Sequence, residues 1–309
     1  MFGEVGWQLK KFFMALLALV FFAANSVLCR MALTDEAIDP ATFTSIRLVA
    51  GALVLYVILL FFPVAEGGGA AVANHQSGRR NIFQSPVESW LAAAMLFLYA
   101  SSFSFAYMYL DTALGALILF TFVQLTMLTY GHYREGGITG LEIIGVLISI
   151  SGLGYLVSPG IQSPDPRGIV LMAVSGIAWG GYSILGKKTS DSQVSSSSIN
   201  FRLSLAFVLP MFLLCLPAMK MTMEGIFLAI VSGALASAVG YVIWYWVVKQ
   251  FKAAQSGVMQ LLVPIFAAVA GYMLMDEMIS QRLMIAASVI LLGILATFLG
   301  KRQVKESLE

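Results

Sequence analysis

Apolar residues along this chain come in runs too long and too unbroken to have one solvated face. The runs cover 12–33, 41–62, 88–109, 113–130, 139–157, 168–187, 198–217, 225–247, 254–275 and 281–300, with short polar breaks between them. Each has roughly the 17–25 residues that carry a helix across about 30 Å of hydrocarbon. None shows the strict alternation of a barrel strand, and a lipid-embedded backbone otherwise satisfies itself only as a helix. The pattern predicts an all-α polytopic membrane protein with ten transmembrane helices.

Composition adds little that the pattern lacks. Hydrophobic residues make up 59% of the 309 and charged ones 11%, and the mean hydropathy is +0.88, which leaves too little polar surface for a soluble domain. The basic residues are scattered through loops rather than gathered on one face, which argues against nucleic acid as a partner. Cys29 and Cys215 both fall inside apolar runs without metal-ligand spacing and read as packing residues. The first run is too long for a signal peptide and lacks a small-residue cleavage site, so it is expected to remain as a helix. Ser307, Leu308 and Glu309 read as an expression-linker remnant and carry no weight.

Loop charge sets the expected orientation. With the N-terminus inside, the inner segments hold Lys10, Lys11, Arg79, Arg80, Arg134, Lys187, Lys188, Lys249, Lys252, Lys301, Arg302 and Lys305, whereas the outer ones hold Arg167, Lys220 and Arg282. That imbalance follows the positive-inside rule and puts both termini in the cytoplasm. The one long loop, 63–87, carries Gly67, Gly68 and Gly69 and a polar run to Arg80, so it is expected to be a flexible cytoplasmic connector.

The two halves repeat. Residues 24–30 (Ala-Asn-Ser-Val-Leu-Cys-Arg) align with 181–187 (Gly-Tyr-Ser-Ile-Leu-Gly-Lys), Arg47 with Arg202, Gly115 with Gly257, and Glu135 with Glu277. The halves are 12–157 and 168–300. An odd number of spans in each forces opposite insertion, the inverted-repeat plan of many secondary transporters. Together with the Asn-containing end of the first span, Trp-Gly-Gly-Tyr-Ser at 179–183 and the run from Gly257 through Pro264 to Asp276 and Glu277, this layout resembles the EamA family of the drug/metabolite transporter superfamily over nearly the whole chain. The resemblance implies two inverted five-helix repeats around a central cavity lined by the first, third, fourth, sixth, eighth and ninth spans. It also implies movement of small organic molecules such as amino acids, nucleosides and drugs, often outward. One departure is that Phe122 stands where the second half has Pro264, so a break in the ninth span would lack a counterpart in the fourth.

Polar side chains at membrane depth are costly and usually face a cavity or another helix. Asn25, Tyr99, Ser102, Gln124, Trp179, Tyr182, Tyr241 and Gln260 meet that description, and all lie on the six spans that the resemblance assigns to the cavity. For Asn25 and Gln124, an interhelical hydrogen bond is an equal alternative. Tyr99, Phe103 and Tyr107 recur every four residues on one helix face, where Tyr99 and Phe103 are candidates to contact substrate and Tyr107 reads as packing or interfacial. Of Tyr241, Trp244, Tyr245 and Trp246, just before Lys249, only Tyr241 is deep enough to serve a site; an interfacial belt accounts for the others. Arg47 and Arg202 are possible carboxylate partners, with helix pinning or snorkelling to headgroups ahead of that role. Pro264 is a candidate hinge, while Gly176 and Gly180 allow close helix approach.

No carboxylate is central; Glu142, four residues into the fifth span, is the nearest approach to a proton-coupling group. Two histidines, His75 and His132, and no catalytic motif argue against an enzyme. The expected function is an inner-membrane secondary transporter that exports small metabolites by alternating access. Amino acids, aromatic or hydrophobic ones among them, are the leading substrates. A proton-coupled multidrug exporter is the alternative, and a membrane-embedded enzyme a remoter one. No cofactor or metal is expected. The partners are the small-molecule substrate and the lipid bilayer, one chain suffices for function, and a dimer is left open.

Overall fold

The computed structural model describes residues 2–34, 36–61, 86–135, 140–158, 163–189 and 192–306. The expected connector at 63–87 lies outside the described residues except for its last two, which open a helix, and Ser307–Glu309 lie outside them too. The helices in chain order are α1 (Phe2–Thr34), α2 (Pro40–Phe61), α3 (Pro86–Ala106), α4 (Thr112–Glu135), α5 (Gly140–Val157), α6 (Pro166–Lys188), α7 (Gln193–Cys215), α8 (Met223–Val231), α9 (Gly240–Gln250), α10 (Ala253–Met259), α11 (Leu262–Met275) and α12 (Gln281–Glu306). A π-helical turn, Ser232–Val239, joins α8 to α9, so Met223–Gln250 runs as one apolar rod. Among the described residues, eight segments are long and apolar enough to cross a membrane; two shorter apolar ones are Ile143–Val157 and Gln281–Ala296. The described residues hold no strand, only a lone bridge between Ile38 and Met221.

The expected spans correspond to helices, with shifted ends. The third stops at Ala106 rather than 109, because Tyr107 to Leu110 form a turn before Asp111. The ninth is broken: α10 ends at Met259 and α11 starts at Leu262. Pro264 causes the break from one turn downstream, since its ring cannot accept the carbonyl of Gln260 behind it; the Val263 N–H takes that carbonyl instead, at 3.0 Å. The helix break therefore lies at 260–261, one turn before Pro264. α4 runs unbroken past Phe122.

Close helix approach depends on the glycines. A Cβ on Gly176 of α6 would sit 2.4 Å from the Leu119 carbonyl oxygen of α4, and one on Gly180 would sit 2.8 Å from Thr126 Cβ. A Cβ on Gly233 of the π-helical turn would sit 2.1 Å from the carbonyl oxygen of Arg47 on α2. Small residues of this kind let backbones touch where lipid provides no hydrophobic drive.

Loop contacts divide the molecule into two faces. At one, Lys220 pairs with Glu36 and its backbone N–H donates to Asp39, Arg282 donates to the carbonyls of Tyr155 and Ser158, and the Arg167 guanidinium lies 4.4 Å from the Tyr109 ring. The hydrogen bond from Lys220 holds the Glu36 carboxyl below the usual carboxylate range, and Arg167 does the same for Asp165. These pairs are exposed and contribute little to stability. At the other face Trp7 packs edge-on against Trp246 at 5.9 Å, and Lys188 lies over Tyr130 at 5.2 Å.

Gly176→Ala is expected to lower stability by about 1–3 kcal/mol through overpacking. Gly154→Ala, which meets nothing within 4 Å, is expected to gain up to about 1 kcal/mol from helix propensity. Melting temperatures in detergent check both.

Candidate functional site

The site begins with aromatic rings that the helical period turns inward. Trp179 of α6 is at its centre, with ring centroids 4.7 Å from Tyr241, 4.9 Å from Tyr99, 5.1 Å from Phe22 and 5.5 Å from Tyr182. Phe103 packs 5.4 Å from Tyr99. All six are buried. Edge-on, tilted and offset-stacked ring pairs of this kind exploit the ring quadrupole as well as area. The Trp179 indole N–H donates to Gln260 Oε1 at 2.8 Å, which fixes the ring in its plane.

Arg47 lies against this box. It is seven residues into α2, about 10 Å along the helix axis, and has no exposed surface. Its Nε donates to Ser237 Oγ at 2.9 Å, and its Nη2 donates to the hydroxyls of Tyr241 at 2.6 Å and Tyr99 at 3.2 Å. Asn25 and Tyr241 also donate to the Tyr99 hydroxyl, each at 3.2 Å, and Ser232 donates to Asn25 Oδ1. The guanidinium carbon sits 5.2 Å and 5.1 Å from the ring centroids of Tyr99 and Phe103. No described carboxylate pairs with it.

Several buried polar atoms have no partner, two of them, Arg47 Nη1 and the Tyr182 hydroxyl, at the box itself. The others include both amide atoms of Gln124 and the hydroxyls of Ser197, Ser198 and Ser256. Each such atom costs free energy unless a ligand or water meets it. Gln124 presses on α10, where a Cβ on Gly257 would fall 2.0 Å from its Oε1.

The structure thus gathers Asn25, Arg47, Tyr99, Phe103, Trp179, Tyr182, Tyr241 and Gln260, with Gln124 beside α10. The Ser102 hydroxyl donates to the Leu98 carbonyl of its own helix at 2.5 Å. Arg202 is exposed and bonded back to the Ser198 carbonyl at 3.3 Å, so it does not reach the box. The interfacial belt expected of Trp244 and Tyr245 is overturned. Both are buried, with Trp244 donating to Ser183 at 2.9 Å and Tyr245 accepting from Asn200 at 3.2 Å. Their place on the helix face that carries Tyr241 was a usable signal. Ser232 and Ser237 had none, since an α-helical spacing does not foresee a π-helical turn. The side chains of Glu135 and Glu142 lie outside the described ones.

Above the box, one face is tied shut by Arg30 at the end of α1. It donates to Glu277 Oε1 at 3.2 Å, to Asp111 Oδ1 at 3.1 Å and to the Tyr107 carbonyl at 2.8 Å. Glu277 also accepts the Thr112 N–H at 2.9 Å, which caps the first turn of α4. A cavity of about 330 Å³ lined by Asp111, Asp165, Glu277 and Arg282 opens outside this knot.

Residues 166–299 match the EamA-like transporter family. An uncharacterized protein of Pseudomonas aeruginosa is 38% identical over 291 residues, which cover 93% of this chain and 95% of that protein. An uncharacterized transporter of Archaeoglobus fulgidus is 26% identical over 211 residues, 64% and 73% of the two chains. The uncharacterized transporter YoaV of Bacillus subtilis is 20% identical over 267 residues, 83% and 86%. A solved crystal structure superimposes with a TM-score of 0.68 at 14% identity, covering 95% of this chain and 98% of that one, and shares the fold.

Cys29, adjacent to Arg30 and fully buried, reports on the closed face. In a Cys215→Ala background it is expected to resist a membrane-impermeant maleimide. Glu277→Ala, which removes one Arg30 partner and the Thr112 cap, is expected to make it label faster and to lower stability by about 1–3 kcal/mol. Unchanged labelling would mean that Arg30 and Glu277 do not hold this face closed.

Proposed function

Because the chain belongs to the EamA-like transporter family and is a multi-pass membrane protein, we propose that it is an inner-membrane secondary carrier. It exports small organic metabolites, with aromatic or hydrophobic amino acids as the leading class, by alternating access and without ATP or a cofactor. The observation that carries this reading is the buried aromatic cluster around Trp179, bordered by Arg47 Nη1 and the Tyr182 hydroxyl, which are buried and have no partner. A water-filled pore would keep its centre solvated, whereas a carrier seals its centre in each cycle, as the full burial of these rings and of Arg47 fits. Asn25, Tyr99, Phe103, Trp179, Tyr182, Tyr241, Gln124 and Gln260 are the proposed substrate contacts.

In this reading ten helices form two inverted repeats, 12–157 and 168–300, with both termini cytoplasmic. Support comes from helix packing. Exchange of the halves maps α1 onto α6, α2 onto α7, α3 onto α8 and α9, α4 onto α10 and α11, and α5 onto α12. The packed pairs α3 with α6, α4 with α6 and α3 with α7 then map onto α1 with α9, α1 with α11 and α2 with α8, all of which are also packed. The pairs α2 with α7 and α5 with α12 map onto themselves, as at a pseudo-two-fold axis. At 18 residues α5 reaches about 27 Å, enough for a ninth crossing. One chain holds both repeats, so a monomer suffices.

Reconstituted in liposomes, the protein is expected to give saturable, ATP-independent efflux of labelled amino acids that ignores a pH gradient. Trp179→Ala and Tyr99→Ala are each expected to lower it about tenfold or more, as loss of a buried aromatic contact worth over 1.4 kcal/mol requires. Movement of cationic dyes that depends on the gradient would overturn the reading in favour of a proton-coupled multidrug exporter.

A further inference from the structure

Arg47 makes an unusual set of bonds. A guanidinium has five N–H donors and cannot be deprotonated in a protein. Three are matched here, by Ser237, Tyr241 and Tyr99, while Nη1 keeps two that meet nothing. All three partners are neutral hydroxyls. An arginine that pins helix ends finishes on backbone carbonyls, as Arg30 does at Tyr107 and Arg282 at Tyr155 and Ser158. An arginine that snorkels stays exposed, as its repeat mate Arg202 does. Arg47 does neither.

The backbone opposite is equally particular. Ser237 and Gly233 lie in the π-helical turn 232–239, and Tyr241 follows it directly. Gly233 lets that turn come against the Arg47 backbone where any Cβ would collide with its carbonyl. The shifted register brings Ser232 to Asn25 and Ser237 to Arg47. π-helical segments inside α-helices are rare and are frequently found at functional sites.

We propose that Arg47 is the seat of a substrate carboxylate, with Nη1 as the anion-binding edge and the π-helical turn as the support that aims it. The proposal deepens the carrier reading above and rests on it for the substrate's route. A carboxylate fits better than a phosphate, because the seat offers one positive charge and no described second cation adjoins it, whereas a phosphate dianion leaves one charge uncompensated. Neutral nucleosides and cationic dyes would leave the guanidinium unpaired and are excluded as good ligands. The Tyr99 and Tyr241 hydroxyls orient the guanidinium, and the box around Trp179 receives the apolar remainder.

Binding to the purified full chain is tested with four probes of shared ring chemistry: L-phenylalanine, 3-phenylpropionate, L-phenylalaninamide and phenyl phosphate. L-leucine and its amide serve as a second pair. The carboxylates are expected to bind, with the amides and the phosphate about tenfold weaker or more, as loss of a charge-assisted hydrogen bond predicts. Arg47→Gln is expected to erase the difference between acid and amide, and Arg47→Lys to restore part of it. Amides that bind the wild-type chain as well as the acids overturn the proposal, and that result stands even if Arg47→Gln does not fold. Flux of solutes without acid-over-amide preference overturns the seat and leaves the carrier; acid-selective binding without flux in liposomes does the reverse.

Discussion

A guanidinium with no exposed surface and no described carboxylate beside it is the constraint around which the centre of this protein is arranged. Taking such a charge out of water costs several kcal/mol even after relaxation, and at membrane depth it is tolerated only with dedicated partners. Arg47 draws those partners from three places: Tyr99 on α3, Ser237 in the π-helical turn and Tyr241 at the start of α9. One side chain thereby fixes the mutual position of α2, α3 and the α8–α9 rod. The π-turn, the glycine at 233 and the tyrosine spacing become intelligible together, since each is needed to bring a hydroxyl to a cation that cannot lose its charge.

From there the arrangement propagates by contact. The hydroxyls that hold Arg47 belong to rings that pack on Trp179, and Trp179 is pinned by Gln260, the residue at which the ninth span breaks. A change at the break is thus tied to the box through one hydrogen bond. At the end of α1, Arg30 shows the contrasting way to house a cation, with Asp111 and Glu277 neutralising it at the junction of α1, α3–α4 and α11–α12. Two arginines seventeen positions apart therefore differ in kind. One is neutralised by carboxylates, and the other is buried with one nitrogen, Nη1, left without a partner.

Much of the framework was legible in the sequence because lipid imposes a simple rule. Runs such as 41–62 or 281–300 have no soluble alternative, so helix positions followed from length alone, and the inward residues Asn25, Tyr99, Trp179, Tyr241 and Gln260 followed from the cost of polar atoms at depth. What was not legible depended on registers that composition does not carry. Alignment of the two halves of the sequence pairs Arg47 with Arg202, yet one is buried and one exposed, and only the first meets a π-turn. Trp244 and Tyr245 looked interfacial by their distance from Lys249, but face inward by their angle around the helix. Pro264 signalled a break in the ninth span, which falls at 260–261 because a proline disrupts the turn behind it rather than its own position.

The energetics of such a seat bear on what a substrate must supply. Moving a two-state carrier from mostly open to mostly closed takes about 5.5 kcal/mol of differential binding for a shift from 1:99 to 99:1. A charge-assisted hydrogen-bonded contact at Nη1 contributes about 1.5–3 kcal/mol, which falls short alone. Burial of an apolar or aromatic side chain against the box contributes about 1.5–3 kcal/mol more, which also falls short alone. Their sum approaches the requirement, and neither part can be traded for more of the other, since there is one guanidinium and one box. A solute with a carboxylate and no apolar body, or an apolar body and no carboxylate, would occupy the site without closing it. On the proposed reading, selectivity then arises at closure as much as at binding: the buried charge penalises closure around nothing, and the aromatic box penalises closure around water.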